Sequence, residues 1–98
     1  MKLLTKALEK KLPAIYAQDG KGDNAKAYVK FFTPWTNWTW YVTEYDPETG
    51  DCFGLVEGLE RELGYFNLHE LEGIKGPLGL KIERDTWFET TTLGEIKK

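Results

Sequence analysis

Leucines recur at four-residue spacing over Leu4, Leu8 and Leu12, with Ala7 beside them and Lys6, Glu9, Lys10 and Lys11 on the other side. That is the stripe of an amphipathic helix. Pro13 has no amide hydrogen to continue it, so the helix is predicted to end near Leu12. Asp19-Gly20-Lys21-Gly22-Asp23 reads as a loop. From Ala27 to Thr33 the period changes to two, Val29 and Phe31 alternating with Tyr28 and Lys30, and Pro34 ends the run. A second strand, Asn37–Tyr45, sets Trp38, Trp40 and Val42 on one side and Thr39, Tyr41, Thr43 and Tyr45 on the other. Pro47 and Gly50 mark Asp46–Asp51 as a hairpin turn. Cys52–Leu59 is the third strand. Short turns between alternating runs predict that these three strands lie side by side, antiparallel and in chain order.

Glu62–Phe66 is a fourth strand, weakened by Gly64. Asn67 with Glu70 three positions on is a helix N-cap signature. It predicts a short helix to about Ile74 that buries Leu68 and Leu71. Lys75–Gly79 is a structured loop, Thr86–Glu89 a last short strand, and Thr92 with Glu95 repeats the capping pattern. The fold class is therefore α+β: an antiparallel meander sheet with an N-terminal helix and one or two short helices packed on it. The 98 residues make a single domain, 1–98.

Composition adds constraints. Four Trp, five Tyr and five Phe argue against disorder. A net charge of −3 disfavours a surface that grips duplex nucleic acid by its phosphates; the lysines at 2, 6, 10 and 11 read as a solvated helix face. One cysteine, Cys52, forbids an intrachain disulfide and suits a reducing compartment. The apolar run at the N-terminus is too short for a signal peptide, and no stretch is long enough to span a membrane. A cytoplasmic location without membrane attachment is expected.

Candidate chemistry is sparse. Serine is absent, which removes serine-nucleophile triads. Cys52 and His69 are the only such pair, and the residue types alone do not make a dyad. One His and one Cys do not supply a zinc ligand set, and Asp46, Glu48 and Asp51 lack the spacing of a calcium loop. Gly76-Pro77-Leu78-Gly79 lacks the Lys-Ser/Thr of a phosphate loop. No cofactor, metal or catalytic residue is predicted.

The aromatic cluster carries more information. Phe31, Phe32, Trp35, Trp38, Trp40, Tyr41 and Tyr45 fall close together, and both sides of the second strand bear rings. A sheet covered on one face needs only one apolar face. Either the N- and C-terminal segments close a two-sided core, or one ring set is a binding surface. The binding candidates are Trp35, Asn37, Trp38, Trp40, Tyr65 and Arg84. Trp35, at the turn after Pro34, is either a lid on the core or an anchor for a partner.

Three segments also carry a resemblance. They are Lys30-Phe31-Phe32-Thr33-Pro34-Trp35-Thr36-Asn37-Trp38-Thr39-Trp40-Tyr41, Glu62-Leu63-Gly64-Tyr65-Phe66, and Gly76-Pro77-Leu78-Gly79-Leu80 with Glu83-Arg84-Asp85. Together with Leu3-Leu4-Thr5-Lys6 and Leu12-Pro13, they resemble a bacterial family catalogued as domain of unknown function 2958. The resemblance covers nearly the whole chain. It implies a small uncharacterised protein, often encoded near mobile genetic elements, and supplies no catalytic residues. The reading is a non-enzymatic accessory or interaction protein that takes a protein partner, a second copy of itself, or single-stranded nucleic acid. A small hydrolase using Asp46, Glu83 or Asp85, and a self-associating subunit, are the alternatives.

Overall fold

A computed structural model describes residues 2–98. In chain order its elements are α1 (Lys6–Lys11), β1 (Lys26–Ala27), β2 (Val29–Phe32), β3 (Thr39–Tyr45), β4 (Asp51–Glu57), β5 (Arg61–Asn67), α2 (Leu68–Gly73), β6 (Glu83–Arg84), β7 (Thr91–Thr92) and α3 (Leu93–Ile96). The caps are where the side chains allow them. Thr5 accepts the Leu8 amide, Asn67 accepts the amides of His69 and Glu70, and Thr92 accepts that of Glu95. Each satisfies backbone donors that a helix start leaves unpaired.

Five strands form one antiparallel sheet in the order β5-β4-β3-β2-β6, the α+β meander that the alternation predicts. One face packs Val29, Phe31, Trp40, Val42 and Cys52 under the N-terminal leucines 3, 4 and 12, Leu68 and Leu71 of α2, and Ile82. The other face packs Leu55 with Ala25, Ala27 and Leu93, flanked by Tyr41, Phe88 and Ile96. Each fully buried aliphatic or phenyl side chain contributes about 1.5–3 kcal/mol. Both faces are thus covered over part of their area. Among the described residues no helix is long and apolar enough to cross a membrane.

Three expectations need correction. Tyr45 does not share a side with Tyr41. The register slips between Val42 and Glu44, and the extra residue at this bulge turns Tyr45 into the first core beside Val42. The strand from Ala27 to Thr33 is broken at Tyr28: β1 leaves the main sheet and pairs with β7, Lys26 opposite Thr92. Thr86–Glu89 is not a strand. The Asp85 carboxylate accepts the Trp87 amide at 2.9 Å and the Asp85 carbonyl accepts the Phe88 amide, so the chain turns there. Such local bonds compete with a ladder, and strand pairing moves to β6 and β7 on either side.

Candidate functional site

The bulge in β3 lies beside a cleft whose wall is held by side-chain hydrogen bonds. It leaves Thr43 out of register, and the side chain of Gln18 repairs the ladder. The Gln18 amide nitrogen donates to the carbonyls of Lys26 and Thr43, both at 2.8 Å, while its oxygen accepts the Lys26 amide at 2.7 Å. The next residue, Glu44, is buried. Its two carboxylate oxygens accept the amides of Tyr16 at 2.9 Å and Gln18 at 2.7 Å. A buried carboxylate is costly unless it is hydrogen-bonded, and here both oxygens are occupied.

That clamp holds Tyr16 in a left-handed backbone conformation with φ 74°. For a residue with a Cβ this costs about 1–2 kcal/mol. Backbone strain of this kind persists only where the surroundings over-determine it, and it concentrates at functional sites. The ring of Tyr16 is left 70% exposed at the mouth of a cleft of about 480 Å³. Across the cleft stand Phe53, Leu63 and Tyr65, with Gln18 and Glu44 in the wall. Phe53 and Tyr65 meet edge-to-face at 4.9 Å. The Tyr65 hydroxyl titrates above its ordinary value, chiefly because of the neighbouring Tyr16 hydroxyl. Two phenols therefore span the opening, over a floor of ring and aliphatic carbon.

The residues singled out from the sequence are not brought to one place. Trp35 is half-buried against the first core, its ring stacked on Gly76, where an added Cβ would come within 2.5 Å of it. Asn37 is exposed in the turn between β2 and β3. Trp38 is partly exposed, lies over Gly58 and sits 5.9 Å from the ring of Trp40, which is buried at 7% exposure. Arg84 donates to the carbonyls of Lys2 at 3.0 Å and Leu3 at 2.7 Å, tying down the N-terminal segment. Only Tyr65 lines the cleft.

This arrangement can be set against the family. Its model matches residues 3–94 of the 98. The chain belongs to the family described as protein of unknown function (DUF2958). No curated protein and no solved structure matches it. In this DUF2958 chain the carboxylates Glu83 and Asp85 share a shallow groove with Lys30, Phe32 and Trp87, and Asp46 lies in the turn between β3 and β4. Asp85 is engaged by Lys30 at 3.7 Å and by the Trp87 amide. Cys52 is fully buried and its thiol is pushed up to about 12, by burial first and by the charge of Asp51 second. A thiol with that titration is not an activated nucleophile. Sequence reasoning missed Tyr16, Gln18, Glu44, Phe53 and Leu63. One signal existed: Glu44 falls on the core-facing phase of the Trp38-Trp40-Val42 series.

Proposed function

We propose that this DUF2958 protein is a non-enzymatic interaction module, and that the cleft between Tyr16 and Tyr65 receives an apolar side chain of a protein partner. The carrying observation is the strained Tyr16, whose backbone is held at the cleft mouth by a buried carboxylate. The volume lies in the range of clefts that enclose small ligands or anchor side chains. Tyrosine is also the residue type enriched where binding energy concentrates. Glu44 gives both oxygens to backbone amides, which suits a residue that supports the wall. Asp19 at the rim and the net charge of −3 favour a polypeptide over a phosphate chain. In the mobile-element setting that the family resemblance implies, this is the role of an accessory factor.

The test is capture from the native host's lysate by the wild type, Tyr65→Ala and the control Trp87→Ala, with and without nuclease. The reading expects a nuclease-resistant partner that Tyr65→Ala loses and Trp87→Ala keeps. Capture that nuclease abolishes would move the function to single-stranded nucleic acid. Capture indifferent to Tyr65→Ala would remove the cleft from consideration.

A further inference from the structure

The five-stranded sheet ends differently on its two sides. On one side it stops at β6, only two residues long, which is how sheet edges are commonly blunted. On the other side β5 presents seven residues of extended backbone, with no strand beyond it among the described residues. Its second face carries Leu63 at 48% and Tyr65 at 59% exposure. A long edge with exposed apolar side chains is a template for one more strand.

We propose that this strand is the β5 of a second copy, paired antiparallel about a two-fold axis through Gly64. β5 runs from Arg61 to Asn67, so Gly64 is its midpoint. Pairing about that point sets Leu63 against Tyr65 of the second copy, and Tyr65 against its Leu63. Each exposed apolar side chain gains one apolar neighbour, and by symmetry the contact occurs twice. Arg61 meets Asn67 and Glu62 meets Phe66, so no like charges face each other across the seam. The neighbouring registers are worse. An axis at Leu63 sets Arg61 against Tyr65 and shortens the ladder; an axis at Tyr65 sets Leu63 against Asn67. A one-residue slip puts the apolar side chains of the two copies on opposite faces. Gly64 itself has open space where a side chain would stand, which leaves room at the axis. The result is a continuous ten-stranded sheet, isologous as two-fold contacts must be. In it, Leu63 and Tyr65 of each copy form the outer wall of the other's cleft. The pairing goes beyond the binding reading, because it uses the backbone edge and stands even if the cleft takes nothing.

Two measurements on the full chain test it. Sedimentation equilibrium is expected to give about twice the 11.3 kDa chain mass. The double variant Leu63→Lys/Tyr65→Lys should return it to one chain mass, and Leu78→Lys/Trp87→Lys, at exposed apolar residues outside β5 and its turns, should not. Gly64→Cys under mild oxidation then reads the register. Directly opposed antiparallel residues lie about 4.5–5.5 Å apart at Cα, within disulfide reach. The native Cys52 is buried and contributes little background. At micromolar protein, a millimolar effective concentration in a formed pair should cross-link Gly64→Cys at least about tenfold faster than Leu59→Cys, which meets its like only by collision. A chain that sediments at 11.3 kDa throughout overturns the proposal. So does equal cross-linking of the two variants, or a monomer that adds a strand from a different protein at β5.

Discussion

Replacing Glu44 by glutamine keeps the size of the side chain and removes half of its purpose. In the native protein Oε1 takes the Tyr16 amide and Oε2 the Gln18 amide. Glutamine offers one oxygen and one NH₂, so one amide keeps an acceptor and the other faces a donor. The kept bond falls from charge-assisted to neutral, about 1 kcal/mol. The orphaned buried amide costs about 1–3 kcal/mol. Releasing Tyr16 from its left-handed backbone returns about 1 kcal/mol. The net loss is about 2 kcal/mol, and in a domain of this length that lowers the melting temperature by roughly 10 °C. Urea unfolding followed by tryptophan emission measures it, with Glu48→Gln as an exposed acidic control expected to stay within about 0.5 kcal/mol. Hydrogen exchange should quicken at the amides of Tyr16 and Gln18 and not along β2. If Glu44→Gln melts like the wild type, the clamp does not hold the cleft and the argument from strain at Tyr16 fails.

The facing glycines of β4 and β5 should separate sharply. A Cβ at Gly54 would run into the backbone carbonyl of Tyr41, so Gly54→Ala is expected to cost about 3 kcal/mol or more by urea melt. Gly64→Ala, with open space around it, should stay within about 1 kcal/mol. Trp35→Ala should cost about 2 kcal/mol, as a half-buried ring. Gly76→Ala should approach that loss by displacing the same ring, and the double variant should fall well short of the sum; full additivity in a melt would show that the two do not act through one contact. In alkali the sign follows from groups whose protons are held more tightly when folded. Burial, then the charge of Glu9, raises Tyr45 from about 10 to about 12. Cys52 rises from about 9 to about 12. Their contribution is intact below pH 9 and should be lost between pH 9 and 12, with Cys52→Ala removing the earliest part of the decline. A urea midpoint that stays level across that window would contradict both shifts.

The sheet was legible because Val29–Phe31 and Trp38–Val42 alternate cleanly, and the helix caps at Asn67 and Thr92 because their partners lie three residues away. What escaped depends on distant contact. Tyr16 and Glu44 are 28 residues apart, and nothing local to either names the other as its partner. The bulge at Thr43 reversed Tyr45, and its one trace is a charged residue in an apolar phase. The Trp-rich segment drew attention by composition, yet Trp40 went to the core and Trp35 to a shelf at Gly76. The fully open indole of Trp87, 91% exposed, sits in a turn made by the side chain of Asp85, which the strand-like run Thr86–Glu89 concealed.

The lacing of β1 to β7 also has a consequence for the order in which the molecule is made. Lys26 finds its partner in Thr92, and Ala25 receives the Leu93 amide. At about 5–20 residues per second, the wait for that partner during synthesis lasts several seconds. Meanwhile β2 to β5 can already zip into a meander, with Leu55 and Tyr41 bare on one side. That nascent sheet is a sticky half-product, and β5 is its open border. Crowded polysomes are where it meets copies of itself first, so the sealing of its second face by the late-arriving segment is a race against premature association.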